Sequence, residues 1–344
     1  MAELWQRLGL VVNPVAGADK KQSLRAAREV IERSRAQSVL TGAAELGAAA
    51  LAEWRGRTQI CSPENDASGS PPGREETRSL ACALLREDVD ALVVVGGDGT
   101  LADVAQVCLQ NDSRVPIVGI GCGSTNVGRL ITLPVHRASE FDVARVETWN
   151  PDCLLASLNG TQLGLAFNDV VIGHTVVATI DGQRQDADAY ERMQGKLVPG
   201  KPRLVGNSQT EVTRVDSGME TLIAKGEGIG TVIFGFAEPR FVGKAITGAV
   251  CLAALCAVPA GCLVCDRPLA MVDVTAAALR TAAPVASCFV AFDEAMEVKV
   301  EGIDGAMLCA DGNPLHRLQH TDRVVVSVRR NAVTAVRTLD ARLG

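Results

Sequence analysis

Residues 91–101 read ALVVVGGDGTL: an apolar run, three glycines around a single carboxylate, then the start of a helical stretch. Residues 91–95 are apolar at every position, the composition of a parallel strand covered on both faces. The turn that follows predicts an anion site. Gly96, Gly97 and Gly99 are expected to take dihedrals closed to other residues and to bare their backbone amides to a ligand. The helix expected over residues 101–109 aims its first N–H groups at the same point, which favours phosphate. Thr100 is a candidate cap for that helix, with Asp103 three residues on completing an imperfect capping box. Asp98 is the odd member. A carboxylate among phosphate-binding amides is repelled unless it holds a metal ion or accepts a hydroxyl, so its presence points to chemistry. The blander alternative is a tight strand-to-helix turn with a surface aspartate.

One strand later the pattern recurs. Residues 115–129, VPIVGIGCGSTNVGR, again read as strand, glycine-rich turn and a helix starting near Asn126. Two such loops on successive strands share one rim, where open α/β sheets bind their ligands. Gly123 brings the backbone close, and Ser124, Thr125 and Asn126 offer side-chain groups for ribose hydroxyls or phosphate oxygens. An ordinary Ser/Thr/Asn helix cap is the alternative. Counting from Gly121, Asn126 occupies the last position of GxGxxG, and no GxxxxGK[ST] occurs, so neither a Rossmann dehydrogenase nor a P-loop NTPase is supported.

Outward from these loops, the first half alternates short β-rich runs with helical stretches, the pattern of a parallel sheet covered by helices. Strands are expected at 9–13, 58–62 and 115–120, and helices at 21–34, 43–54 and 75–87. After about residue 150 the chain becomes β-rich. Asn159 and Gly160 sit between two β-capable runs, the strongest short hairpin signal, and the pairs at 181–182, 304–305 and 311–312 repeat it with aspartate. The expected fold is therefore α/β: a doubly wound, mostly parallel sheet domain over residues 1–150, then a β-rich, β-sandwich-like domain over 151–322. Residues 323–344 supply final strands that are candidates to pack back on the first domain.

Composition sets the outer bounds. Of 344 residues 47% are hydrophobic, 22% charged and only 3% aromatic, so Val, Ile, Leu and Ala must fill two cores. The net charge of −6 leaves no basic surplus for a phosphate backbone or an anionic bilayer, and neither nucleic acid nor membrane is an expected partner. The 11 cysteines are odd in number and set in runs such as LACALL and AVCLAALC, which indicates a reducing, cytoplasmic setting. Met1 to Arg7 carries Glu3 and does not read as a secretory signal. Residues 245–265 hold no charge over a length that could span a bilayer, yet Pro259 and Gly261 interrupt them, and a buried helix followed by a strand is preferred. Cys251, Cys256, Cys262 and Cys265 lie close in sequence but without zinc-knuckle spacing, so buried thiols are preferred to a metal site. His174 is a candidate cleft residue. Lys196, Lys201 and Arg203 read as a solvated turn, with a phosphate-reaching lid as the alternative.

Asn13 followed by Pro14 and Gly17, GGDGT at 96–100 and GSTN at 123–126 resemble the ordered motifs of the NAD kinase, diacylglycerol kinase and sphingosine kinase superfamily. Within it the chain is most similar to the NAD kinase-like group that includes acetoin-catabolism protein X. AFNDVVIG at 166–173 resembles the Asn-acidic motif that contacts the dinucleotide's ribose in NAD kinases, with Asn168 and Asp169 at the matching positions and Asp in place of the usual Glu. Asp311 and Gly312 resemble the DG turn near the end of the β-domain. The Thr/Ser/Gly-rich segment with an aromatic that follows in NAD kinases has no clear counterpart; GIGTVIFGFAEPR at 228–240 stands in its place.

The resemblance implies transfer of a phosphoryl group from ATP, with Mg²⁺, to a hydroxyl of NAD or a related small molecule, as in NADP biosynthesis. Asp98 would be catalytic or hold Mg²⁺. Asn13, Gly96, Gly97, Gly99, Thr100, Gly123, Ser124, Thr125 and Asn126 would bind the nucleotide, and Asn168 and Asp169 the acceptor. Small-molecule nucleotides are the implied partners, and self-association is left open. A lipid kinase and a non-catalytic nucleotide-binding protein on the same scaffold remain alternatives.

Overall fold

The computed structural model describes residues 5–16, 19–61, 74–123, 126, 128–181, 183–236, 259–268 and 285–339. The chain divides into two units, Met1–Asp152 with Asn331–Gly344, and Cys153–Arg330.

The first unit is built on β1 (Arg7–Val12), β2 (Ser38–Thr41), β3 (Arg57–Ile60), β4 (Ala91–Gly96), β5 (Ile117–Gly121), β6 (Ile131–Pro134), β7 (Val146–Trp149) and, from the far end of the chain, β22 (Ala335–Thr338). Their order is β3-β2-β1-β4-β5-β22-β7, with β6 also on β5, and every pairing is parallel except β22 with β7. All six residues of β4 are buried, as an apolar central strand requires. Three helices cover the sheet: α1 (Lys20–Ser34), α2 (Arg74–Leu85) and α3 (Asp98–Gln110). Alternation along β1 assigns them to faces. Leu8, Leu10 and Val12 share a core with Ala26, Ala27, Val30 and Ile31 of α1, while a Cβ on Gly9 would meet Leu84 of α2. The sheet is thus wound on both sides. Asp19 caps α1 by accepting from the Gln22 N–H, and Arg35 ends it in the left-handed region at φ 61°.

The second unit comprises β8 (Cys153–Leu158), β9 (Thr161–Ala166), β10 (Asp169–Gly173), β11 (Thr175–Ile180), β12 (Gln183–Asp188), the short helix α4 (Ala189–Met193), β13 (Glu211–Asp216), β14 (Met219–Lys225), β15 (Thr231–Phe236), β16 (Ala260–Cys265), β17 (Ser287–Phe292), β18 (Met296–Glu301), β19 (Met307–Ala310), β20 (Asn313–Arg317) and β21 (Arg323–Arg329). Two six-stranded antiparallel sheets, β17-β16-β15-β10-β19-β20 and β14-β13-β18-β21-β8-β9, face each other as a sandwich. One continuous core joins Ile172, Phe234, Cys262 and Phe292 of the first to Leu154, Val212, Val298 and Val326 of the second. Asn159 at φ 50° and Gly160 at φ 83° make the β8–β9 hairpin as the sequence predicts, and Asp311 at φ 46° with Gly312 at φ 74° does the same between β19 and β20.

Several expectations fail for local reasons. The helix expected over 43–54 is two 3₁₀ turns, Ala44–Leu46 and Ala48–Leu51, because Gly47 between them lies at φ 151°. The unexpected strand Ser38–Thr41 occupies the gap before it. Among the described residues no helix starts near Asn126, which stands at φ 53°; β6 follows at Ile131, where Ile131 and Thr132 favour extended backbone. The return to the first sheet also begins later than residue 323. β21 lies between β18 and β8 in the sandwich, and only β22 joins the parallel sheet. Residues 245–258, with the expected buried helix, lie outside the described residues, while the strand expected after them is β16. Among the described residues no helix is long and apolar enough to cross a membrane.

Thr132 stitches this return in place. Its buried hydroxyl accepts from the Gly119 N–H at 3.0 Å and donates to the Val336 carbonyl at 2.7 Å. Thr132→Val keeps the shape and strands both backbone groups, so it is expected to lower the unfolding free energy by about 2–4 kcal/mol in urea titrations. A loss below about 0.5 kcal/mol, the range of inert surface changes, would show that the terminal strand does not depend on this hydroxyl.

Candidate active site

Strand order in the first sheet reverses at β1 and β4: β2 and β3 run to one side, β5 to the other. Such a switch point opens a crevice at the carboxyl ends of the strands. Asn13 follows β1, GGDGT follows β4 and GCGSTN follows β5, so the three first-unit motifs meet on one rim. The Asn13 N–H donates to the Val95 carbonyl at 3.0 Å. Its side-chain Nδ2 donates to Thr100 Oγ1 at 2.8 Å, and its Oδ1 accepts from the Val15 N–H at 3.1 Å. Asn13 therefore ties the loop after β1 to the GGDGT turn.

The turn is tighter than the sequence suggests. α3 begins at Asp98, with Gly97 as an N-cap that makes no side-chain cap bond. Thr100 is not the cap. It sits one residue short of Leu101 in the first helical turn and holds Asn13 instead. Asp103 makes no capping box either, because its buried carboxylate accepts from Arg74 Nε at 2.6 Å. Burial pushes the Asp103 carboxyl up and the Arg74 guanidinium opposes that shift. Gly96, Gly97 and Gly99 all stand outside the left-handed region, contrary to the expectation of special dihedrals. Space is what demands glycine here. A Cβ on Gly97 would lie 3.2 Å from the Gly123 Cα, one on Gly123 2.7 Å from the Gly97 Cα, and one on Gly96 2.5 Å from the Thr100 side chain. The Cys122 N–H donates to the Gly96 carbonyl at 2.9 Å, closing the same junction.

Asp98 is buried in the first turn of α3, where the helix dipole favours a negative charge. Its Oδ1 accepts from the Gly128 N–H at 2.9 Å, and a Cβ on Gly128 would come within 2.7 Å of that oxygen. Asn126 shapes the second loop. Its Oδ1 accepts from the Gly123 N–H at 2.6 Å and its Nδ2 donates to the Gly123 carbonyl at 2.9 Å. Ser124 and Thr125 lie outside the described residues. Among the described residues no three His, Cys, Asp or Glu side chains cluster as a metal cage. The Asp98 carboxylate nevertheless fits Mg²⁺, which keeps several waters and takes one or two carboxylates together with substrate phosphate oxygens.

In the second unit Asn168 and Asp169 lead into β10. Sequence reasoning assigned no role to the residue that holds them, although the DG pair was its signal. Asp311 accepts at Oδ2 from the Phe167 N–H (2.8 Å) and at Oδ1 from the N–H groups of Asn168 (2.8 Å) and Asp169 (3.1 Å). Its own N–H donates to the Asp169 carbonyl at 2.9 Å. Asp169 is buried opposite Gly235, while Asn168 is half-buried and its amide meets no partner among the described residues. His174 stands at the opposite end of β10. Cys262 and Cys265 point to opposite faces of β16, an odd spacing on a strand, and burial pushes both thiols up, Cys265 to about 11. Cys251 and Cys256 lie outside the described residues.

Asp311→Asn replaces one of the accepting oxygens with an amide that cannot accept. The variant is expected to lose about 3 kcal/mol of stability, and exchange at the amides of Phe167, Asn168 and Asp169 should accelerate in hydrogen-exchange measurements. Unchanged exchange at all three would show that the carboxylate does not hold the turn.

Comparison with known proteins agrees with this geometry. Residues 8–140 match the family model of the ATP-NAD kinase N-terminal domain. A protein of Archaeoglobus fulgidus with no characterised activity is 32% identical over 243 residues, spanning 70% of this chain and 73% of its own length. Among solved structures, a diacylglycerol kinase-like protein from Bacillus anthracis superposes with a TM-score of 0.53 at 12% identity, covering 97% of this chain and 98% of that one. Yeast NADH kinase complexed with NADH superposes with a TM-score of 0.52, also at 12% identity, covering 98% of this chain and 85% of that one. At such identity these likenesses speak to fold. The glycine-lined crevice, the sandwich that follows it, the family match and the archaeal relative together establish that the chain belongs to the NAD kinase and diacylglycerol kinase superfamily, on a kinase-type scaffold.

Proposed function

We propose that the protein is an ATP-dependent phosphotransferase whose acceptor is a hydroxyl of NAD or a related small molecule. The observation that carries this is the crevice after β4: bare glycine backbone, the N-terminus of α3 and one buried carboxylate converge where strand order reverses. Phosphoryl transfer requires mainly positioning and charge neutralisation, and that combination supplies both. Gly96, Gly97 and Gly99 cradle the phosphates with Thr100. Asn13 braces Thr100, and Gly123 and Asn126 form the neighbouring wall of the nucleotide site; Ser124 and Thr125 are the remaining proposed nucleotide contacts. The acceptor oxygen forms a bond to the γ-phosphorus as the bond to the β–γ bridging oxygen breaks, and ADP leaves. Asp98 receives the hydroxyl proton or ligates Mg²⁺, which when bound neutralises phosphate charge. Asn168 and Asp169 grip the acceptor's ribose diol on the turn held by Asp311.

A lipid acceptor is the second reading, supported by the fold likeness to a diacylglycerol kinase-like protein. The acidic charge balance weighs against work at a membrane surface, and the apolar face of the basic helix α1 is buried in the core of the first unit.

The deciding experiment incubates the pure protein with ATP, Mg²⁺ and a panel of NAD, NADH, nucleosides, sugars and lipids, and looks for phosphorylated product. Product from none of them would reject catalysis in favour of a binding protein. Asp98→Asn can keep its bond to Gly128 through the amide oxygen while losing the charge. It is expected to reduce turnover by about 10²-fold or more with most ATP affinity retained; turnover within a few-fold of the parent would remove Asp98 from the chemistry.

Gly97→Val places a branched side chain against Gly123 and is expected to weaken ATP binding in calorimetric titration before anything else. Unchanged affinity would mean that this turn does not face the phosphates. For the acceptor, NAD at a hundredfold excess over Kd should add about 2.7 kcal/mol to stability, visible as a rise in melting temperature. Asn168→Ala should abolish that rise and spare the one caused by ATP. A melting curve unmoved by millimolar NAD would reject NAD as the ligand of this turn.

A further inference from the structure

β10 carries Asp169 at one end and Gly173 at the other, and four residues of extended chain set them about 13 Å apart. Beyond Gly173, on the face of the sheet that β11, β12 and α4 cover, lies a pocket of about 110 Å³. Room for only a few water-sized groups suits a single small functional group. Its charged walls are unequal. Asp188 is committed to α4, its Oδ1 accepting from the N–H groups of Tyr190 and Glu191 at 2.9 and 3.0 Å, and Glu191 pairs with Lys196 at 3.2 Å. Arg203 and Arg317 also line the pocket, and neither guanidinium meets a carboxylate among the described residues.

Both arginines are oriented by neutral groups and form no direct ion pair with the Asp188 and Glu191 carboxylates that line the same pocket. Arg317 lies over the Tyr190 ring at 4.9 Å from its centroid. Arg203 donates from Nη2 to His174 Nδ1 at 3.4 Å, and His174 Nε2 lies 3.4 Å from the Leu204 carbonyl. That pair of contacts fits the neutral ring with its hydrogen on Nε2, accepting from the arginine on one side and donating to the carbonyl on the other. Burial, reinforced by Arg203, holds the imidazole below its ordinary value and keeps it in that form. Of the three cations that the sequence placed in one loop, Lys196 is paired, Lys201 lies outside the pocket lining, and Arg203 enters it.

We propose that this pocket binds the oxyanion group, phosphate or carboxylate, of a small ligand at a second site, separate from the Asn168 turn. Two planar guanidiniums lining one small space offer N–H donors of the kind such groups accept. The inference does not rest on the phosphotransferase reading.

Calorimetric titration of the full chain with inorganic phosphate and with acetate, at constant ionic strength held with chloride, tests it. The Gly97→Val variant separates this site from the proposed nucleotide crevice. One or both anions should bind the parent and Gly97→Val alike, and Arg203→Gln combined with Arg317→Gln should weaken that binding about tenfold or more, as loss of two charge-assisted contacts implies. Both side chains are exposed, so an unchanged melting temperature without anion will show that the double variant is folded. Stronger binding of phosphate or of acetate identifies the group the pocket prefers. Absence of anion binding in the parent at millimolar concentration, binding lost in Gly97→Val alone, or equal affinity in the double arginine variant would overturn the proposal, whatever the kinase assay returns.

Discussion

The backbones of Gly97 and Gly123 pack against each other so closely that a Cβ on Gly123 would clash and one on Gly97 would be tight, and the first unit's site is arranged around that contact. Parallel pairing of β4 with β5 runs up to Gly96 and Gly121, so the two chains leave the sheet side by side and would diverge if either carried a side chain at the next turn. Because they do not diverge, the Cys122 N–H reaches the Gly96 carbonyl and the Asp98 carboxylate reaches the Gly128 N–H. Asn13, arriving from β1, then has Thr100 within hydrogen-bond range. The result is a rim of main-chain amides with the Asp98 carboxylate set into it.

The second unit solves a different problem with the same economy of side chains. The two sheets of the sandwich pack on each other through a Val, Leu and Phe core that leaves the strand ends to polar turns. Asp311 sits at one such turn in the left-handed region, and its carboxylate gathers three successive N–H groups of the neighbouring chain. Buried N–H groups without acceptors would cost more than the aspartate's own burial. The clamp fixes the backbone and leaves the Asn168 amide available. Proteins of this fold act on different acceptors, so the scaffold alone does not choose between a dinucleotide and a lipid.

Where local sequence and structure disagree, packing around the site is the reason. Residues 43–54 have the alanine content of a helix, but Gly47 packs with its Cα against Thr41 and Leu10 at φ 151°, and the segment breaks into two short turns. Asn126 reads as a helix start. In place it spends both ends of its amide on Gly123 and turns the chain back toward the sheet. Thr100 and Asp103 have the spacing of a capping box, yet each finds a stronger partner from another element, Asn13 and Arg74. Capping patterns describe a helix with nothing packed on its end, which α3 is not.

By itself the sequence determined the parallel sheet, the β-rich second unit, the hairpins marked by Asn159, Asp181 and Asp311, and the family; the Asp-Gly pair at 304–305 carries the same signal but joins β18 to β19, strands of different sheets. These follow from short-range quantities: runs of apolar residues, the period of their alternation, and the few residues that tolerate a left-handed turn. Tertiary structure alone decided which glycines are required for space and not for dihedral freedom, that Asp311 holds the Asn168 turn from 142 to 144 residues away, and that Arg203 and Arg317 face one pocket. Such contacts join residues distant in the chain, and their distances depend on strand order and register, which no local pattern encodes.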